Sequence, residues 1–254
     1  MLATAPGSSA AEHRFAPHHR WDRHGVQIIL ALVWLGTLMG FGHSVAEHLE
    51  HHGLDYPWIV HVHAAAFVGW LVLFTVQMAL IRGHRHALHR KLGLWGAGLA
   101  AFMAVIGPVT AIVNGRLQYG TPESNPAFLA VSLSSITIFA VLVGAALVLR
   151  RQGAAHKRLM LLGLLALSPA GFARWLGGPI MGLLGHNPLG MWCVLYLIST
   201  LLVGAIAVYD LITRRQLLKT YVLAALFSAA LQGLSIWLLF SPPWGVMTKQ
   251  LLAH

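Results

Sequence analysis

Histidine is the residue type most able to carry chemistry in this sequence, which contains 16 His and one Cys among 254 residues. Imidazole is the commonest protein ligand of transition metals and holds haem iron in many proteins, and its neutral form is the one that ligates. Two histidines open a phrase that the chain uses twice, HRKLGLWG from His89 and HKRLMLLG from His156. A long apolar run follows each phrase, so the two side chains are expected at the mouths of two helices.

The position of this pair favours ligation. The positive end of a helix dipole disfavours a charged imidazole, and the neighbouring Lys and Arg residues act in the same direction. His89 and His156 are therefore predicted to stay neutral and to form an inner pair of cofactor ligands. The alternative interpretation is structural, with both rings acting as interfacial residues that cap helices and contact lipid headgroups.

A second group of histidines precedes and opens another apolar run. Residues two apart on a helix point about 200° apart, so His61 and His63 are not expected to ligate the same ion or the same haem. One of them, together with His43, is predicted to form an outer ligand pair. The other is predicted to face the headgroups.

The segment between these histidines contains an H-x-x-H-H string with two carboxylates nearby. Its histidines, which we predict as candidate ligands for zinc or copper, are His48, His51 and His52. The alternative is a solvated, His-rich amphipathic segment. A di-iron desaturase or hydroxylase needs several such boxes on the same face, and this sequence has one.

Composition identifies the environment of these residues. The chain is 57% hydrophobic and 9% charged, with a mean hydropathy of +0.69. Several runs reach the roughly 20 residues that cross ~30 Å of hydrocarbon, so the protein is predicted to be integral to a lipid bilayer. The net charge of +10 comes from short basic clusters between the apolar runs. Lipid headgroups and topology explain such clusters, and no nucleic-acid partner is expected.

The predicted fold is an all-α, polytopic membrane helix bundle, because backbone groups in lipid must bond within their own helix. We expect about seven transmembrane helices, at residues 26–43, 57–82, 91–114, 127–149, 157–177, 190–212 and 218–240. Pro108 and Pro169 fall inside the third and fifth spans, where each is expected to kink its helix. The predicted domains are a disordered cytoplasmic tail at 1–24, one transmembrane domain at 25–245 with a His-rich outer loop at 43–56, and a short tail at 246–254.

Basic residues give the orientation. An N-in, C-out topology places all but three of the 17 Lys and Arg on the cytoplasmic side. The three on the other side are Arg116, Arg174 and Lys249. This bias follows the positive-inside rule and supports an odd number of spans. The two repeated phrases then enter the membrane from the same side, either through a tandem duplication or by convergence.

Two charged residues lie where charge is costly in a membrane. Arg174 is interpreted as snorkelling to the outer interface, as binding a haem propionate, or as binding an anionic substrate. Asp210 stands four residues before Arg214, so we expect a local ion pair on one helix face.

The chain contains His61-Val62-His63 with Phe67, Trp70 and Gln77, the phrases HRKLG and HKRLM, and Tyr209-Asp210-Leu211. Together these elements resemble a family of uncharacterised bacterial multi-pass inner-membrane proteins, over roughly residues 57–215. The resemblance implies the inner membrane of a bacterial cell and about seven helices, without naming a reaction. The placing of histidines at both faces is also similar to the ascorbate-reducible transmembrane b-type cytochromes, in which helix pairs hold two haems. This chain departs from them because its clearest histidines lie at the helix mouths.

The sequence is compatible with three functions of different classes and assigns no catalytic residue. The first is transmembrane electron transfer through haem b, which implies a redox partner. The second is an accessory or scaffold role in a membrane complex, which the sequence slightly favours. The third is a carrier of a small solute or metal, in which Pro-broken third and fifth helices line a path.

Overall fold

A computed structural model describes residues 19, 21–52, 55–122 and 124–253, without the side chains at 23, 43, 51 and 52. This part of the chain contains α-helices and one short 3-10 turn at Pro126–Phe128, and no strand. The helices are α1 Asp22–His52, α2 Trp58–Arg82, α3 His86–Leu117, α4 Leu129–Val148, α5 Gly153–Leu167, α6 Pro169–Leu184, α7 Pro188–Arg214, α8 Lys219–Leu239 and α9 Pro242–Leu252. The predicted all-α bundle is confirmed.

Six of these helices are long and apolar enough to cross a membrane: α1, α2, α3, α4, α7 and α8. In α1 the span is His24–Glu50. The helices α5 and α6 meet at an angle of 47° and together make a seventh span if they are counted as one. The expected number of about seven spans follows from the same lengths of apolar sequence.

The break between α5 and α6 has a local cause. Pro169 has no N–H to donate to the carbonyl of Leu165, and the hydroxyl of Ser168 bonds that carbonyl instead, at 2.8 Å. The predicted kink at Pro169 is confirmed. By contrast, α3 is one continuous helix through Pro108, so only one of the two proline-containing spans is broken.

The His-rich segment 43–56 was expected to be a loop, and this prediction is wrong for most of its length. Helix α1 continues to His52, because Ala46, Glu47 and Leu49 are good helix formers and no Gly or Pro follows until Gly53.

Both predicted tails also need correction. Helix α1 begins at Asp22, inside the expected tail at 1–24, of which residues 1–18 and 20 lie outside the described residues. The expected tail at 246–254 belongs mostly to α9. That helix is attached to the bundle through Trp244, whose indole N–H donates to the carbonyl of Ala127 at 3.0 Å.

Helix α5 lies at the centre of the bundle. It packs against α4, α8, α7 and α6, and ten of its 15 residues are buried. Around it, α2 packs on α3, α3 on α4, α6 on α7 and α1 on α6. Helix α1 has little contact with α2, the helix that follows it in sequence.

The α1–α6 contact depends on glycine. A Cβ atom at Gly40 would lie 2.0 Å from the carbonyl oxygen of Gly171, and one at Gly171 would lie 2.6 Å from the carbonyl oxygen of Gly36. The two backbones therefore touch directly, as in membrane helix pairs that cross at small residues.

The bundle has two chemically different ends. At the first, which we call the basic end, the starts of α1, α3 and α5 meet the end of α7. At the opposite end, the end of α3 meets α9, where Arg116 donates to the carbonyl of Leu251. Consecutive spans cross the membrane in opposite directions, so the start and the end of α3 are expected at opposite ends of the bundle.

Candidate functional site

The structure brings the two repeated histidines together at the basic end. The ring centroids of His89 and His156 are 6.5 Å apart and the ring planes are nearly perpendicular, at 82°. Each is the fourth residue of its helix, since α3 begins at His86 and α5 at Gly153. Both rings are half-buried. Both therefore lie at the first turn of their helices, near the mouths where the sequence places them.

A backbone contact defines which nitrogen of His156 is available. Its Nδ1 lies 2.8 Å from the carbonyl oxygen of Ala146, in the last turn of α4. A carbonyl only accepts, so Nδ1 carries the hydrogen and Nε2 is left with a free lone pair. Metal-ligating histidines are usually oriented by just such a bond from their other nitrogen.

His89 contributes a polar atom without a hydrogen-bond partner. Its Nδ1 is buried and bonds no described residue. The neighbouring Gln77 donates from Nε2 to the carbonyl of His89 at 3.3 Å, while the Oε1 of Gln77 is buried without a partner. Buried polar atoms are normally paired, so these two atoms indicate a place where a ligand or water completes the bonding.

The spacing of the two imidazoles suits one metal between them. With metal–nitrogen bonds of about 2.0–2.1 Å, two rings that ligate opposite sides of one metal have centroids about 6.3 Å apart. The distance between His89 and His156 is 6.5 Å. Among the described residues no group of three or more His, Cys, Asp or Glu could hold a metal ion. The two histidines therefore form a pair without a third such residue among those that the structure describes.

Beside the pair lies a buried network of charged residues. Arg158 makes two bonds to Asp210, at 2.6 and 2.5 Å, and Arg214 bonds Asp210 at 3.0 Å. Arg214 also bonds both carboxylate oxygens of Asp22 at 2.8 Å, and Lys157 bonds Asp22 at 2.6 Å. The side chains of Arg158, Asp210 and Arg214 are at most 3% exposed. This ionic network connects α1, α5 and α7.

Asp22 remains ionised because of its neighbours. Partial burial alone raises the pKa of its carboxyl, but hydrogen bonds from Arg214, Lys157 and Tyr209 outweigh burial and hold the pKa far below the ordinary 3.8. Since Lys157 and Arg158 directly follow His156, the ionic network fixes the rotation of α5 about its axis. It thereby sets the direction of the His156 ring.

The sequence predicted only part of this network. The expected pair of Asp210 with Arg214 is present, but the bidentate partner of Asp210 is Arg158 on another helix. Asp22 was not anticipated because it fell in the predicted tail. A signal was available, since an acidic residue before an apolar run is typical of the first turn of a helix.

At the opposite end, the predicted outer ligands are only partly described. The ring of His61 is exposed and meets Tyr56 edge-on, with centroids 6.0 Å apart. His63 is half-buried. The two rings thus have different surroundings, as their spacing predicts. The side chain of His43 lies outside the described residues, so the outer pair stays a prediction.

The predicted metal-gathering segment is also partly outside the description. His48 stacks on Tyr56 with ring centroids 3.7 Å apart. The side chains of His51 and His52 are not among those described. Their role as metal ligands stays a prediction.

A polar stripe on α2 runs between the two ends. His63, Trp70 and Gln77 are spaced by seven residues, which places them on one face of the helix. The indole N–H of Trp70 is buried without a described partner, and its ring packs edge-on against Phe139 at 5.1 Å.

Comparison with known proteins adds no assignment: no protein-family model, curated protein or solved structure matches this chain. The family resemblance given by the sequence motifs therefore stays a prediction.

Proposed function

We propose that this chain is a haem b-binding protein that passes electrons within or across a membrane. The observation that carries the proposal is the meeting of His89 and His156, which come from separate helices, have ring centroids 6.5 Å apart and would hold the iron of the cofactor between them. When bound, haem iron exchanges single electrons between its ferric and ferrous states. Haem iron takes its protein ligands from side chains such as histidine, and the site offers two of them.

The surrounding residues support that role. The Nδ1–H of His156 bonds Ala146, which keeps Nε2 able to ligate, and the ionic network holds α5 in place. Helix α4 packs against both α3 and α5, and so holds the two histidine-bearing helices in place. The exposed Arg90 and Lys91 beside His89 carry positive charge suited to haem propionates at the membrane surface.

Location follows from the same residues. The basic end carries most of the Lys and Arg, so we infer that it faces the cytoplasm. The motif resemblance supports the inner membrane of a bacterium. A cofactor at this end would exchange electrons with a cytoplasmic or membrane-embedded redox partner.

A non-catalytic accessory role is the competing function, and one contact favours it. The bond from His156 to Ala146 satisfies a carbonyl at the end of α4, which is a structural task for a histidine. The carrier hypothesis expects the third and fifth spans to be broken at proline. Helix α3 is continuous, so only the fifth span has the expected break.

The deciding experiment is a reduced-minus-oxidised visible spectrum of detergent-purified protein expressed with a supply of haem. We expect a b-type signal in the wild type and its loss in both His89→Ala and His156→Ala. The control is His86→Ala, which removes an exposed ring from the same first turn of α3 and should keep the signal. A colourless wild type that elutes as a folded species refutes the haem proposal and leaves the accessory role.

A further inference from the structure

The connection between α4 and α5 carries two exposed arginines, Arg150 and Arg151. It lies at the basic end of the bundle, because α5 starts there. The span that contains α4 ends at Val148, and the broken span begins at Gly153. The two arginines therefore lie just outside the hydrocarbon layer, at the depth of the lipid headgroups.

Hydrogen bonds fix the shape of this connection. The N–H of Gln152 donates to the carbonyl of Leu149 at 2.8 Å, which closes a turn around the two arginines. The bond from His156 to Ala146 then holds the start of α5 against the last turn of α4. The backbone that carries Arg150 and Arg151 is thus held on both sides before any ligand binds.

A surface cavity of about 390 Å³ lies against the same connection. It is lined by Arg150 and Arg151 together with Leu147 and Val148. Val148 is 82% exposed although it lies in the last turn of a membrane span, so its surroundings are the hydrocarbon of the bilayer. The cavity thus combines two arginines with an apolar wall.

The described carboxylates of this end are already paired. The chain has seven acidic residues and 17 basic ones. At the basic end, Asp22 and Asp210 are both held by the ionic network. The other carboxylates in the described part of the chain lie at the opposite end, near the end of α1 and the start of α2: Glu47, Glu50 and Asp55. Arg150 and Arg151 are therefore placed to bind an anion from the surroundings.

We propose that the α4–α5 connection is a binding site for an anionic phospholipid, in which Arg150 and Arg151 bind the headgroup phosphate and an acyl chain lies along Leu147 and Val148. The planar fork of a guanidinium matches two phosphate oxygens, and its charge is permanent. Basic pockets between membrane helices bind anionic headgroups through the same chemistry.

Two features select this ligand over its alternatives. A zwitterionic headgroup fits less well, because its ammonium group would lie beside two positive charges. A free phosphate fits less well than a lipid, because it has no hydrocarbon to place against the apolar wall of the cavity.

Native mass spectrometry of detergent-purified protein, titrated with phosphatidylglycerol, tests the site. We expect the wild type to bind one phosphatidylglycerol more tightly than phosphatidylcholine with the same acyl chains. Arg150→Gln combined with Arg151→Gln should weaken this binding at least about tenfold. Arg150→Lys combined with Arg151→Lys keeps the charge without the planar fork and should lose less. The matched control is Arg82→Gln combined with Arg85→Gln, which removes two exposed arginines where α2 meets α3 at the same end and should change the affinity less than about threefold.

Four results would overturn the proposal. An unchanged affinity after the loss of Arg150 and Arg151 would show that they do not bind the lipid. An equal loss in both glutamine variants would show that the charge of the whole basic end attracts lipid without a site at this connection. Equal affinities for the two lipids would show that the headgroup charge is not recognised. Displacement of the lipid by an equal concentration of glycerol phosphate would identify the ligand as a free phosphate. Haem takes no part in this test, so its result is independent of the proposed function.

Discussion

Replacing Gly40 by alanine should force α1 away from α6. The added Cβ would lie 2.0 Å from the carbonyl oxygen of Gly171, whereas such atoms essentially never approach within 3.0 Å. The obstacle is backbone, so no side-chain rotation relieves the contact. The helices must separate locally by about 1 Å, which would disrupt the close packing of the two backbones.

The expected cost is at the upper end of what overpacking produces, about 3 kcal/mol or more. Gly42→Ala is a matched control two residues along the same helix, because a Cβ there meets nothing within 4 Å. That variant should be neutral or gain up to about 1 kcal/mol from the better helix propensity of alanine.

Unfolding in mixed micelles with increasing SDS, followed by far-UV circular dichroism, measures both variants against the wild type. Gly40→Ala should unfold at a clearly lower SDS fraction, and Gly42→Ala at the wild-type fraction or above. Equal midpoints for Gly40→Ala and the wild type would show that α1 and α6 do not cross at the distance described.

Three further predictions concern the polar contacts. Asp210→Asn should lower the free energy of unfolding by about 3–5 kcal/mol, because it leaves Arg158 buried without its carboxylate. In the same SDS assay, the double variant Asp210→Leu, Arg158→Met should lose less stability than Asp210→Asn alone. An equal or larger loss of stability would contradict this account. Asp22→Asn should destabilise the protein at pH 7. A pH series should show the difference from wild type shrinking below about pH 4, because the stabilisation from a lowered pKa is complete above the ordinary value of 3.8 and is lost as the pH falls towards the lowered value; a constant difference would contradict the ion pairing. Asn187→Ala should cost about 1 kcal/mol in thermal unfolding, because its side chain caps α7; an unchanged midpoint would exclude the cap as a stabilising contact.

The number of spans and their approximate bounds were predictable because each apolar run is long enough to cross a bilayer. The break at Pro169 was predictable because proline removes a backbone bond. Which helices are neighbours was not predictable, since seven similar apolar runs do not specify partners. Helix α1 packs on α6, far along the chain, through glycines that a hydropathy reading does not weigh.

The candidate site was also only partly predictable, because it too depends on which helices are neighbours. The repeated phrase singled out His89 and His156, and a shared direction of entry placed them at one end, but their contact depends on the packing of α3, α4 and α5. The ion pair of Asp210 with Arg214 follows from spacing on one helix. Its stronger partner, Arg158, comes from a different helix and could be found only when the helices were placed.

The broken span connects the two ends of the bundle. Helix α5 carries His156 and the ionic network, and α6 carries Arg174 after a bend of 47°. Helix α1 contacts both halves of the broken span. Asp22 pairs with Lys157 on α5, and Gly40 touches Gly171 on α6. Helix α1 therefore contacts the broken span on both sides of its break, at Lys157, the residue after His156, and at Gly171.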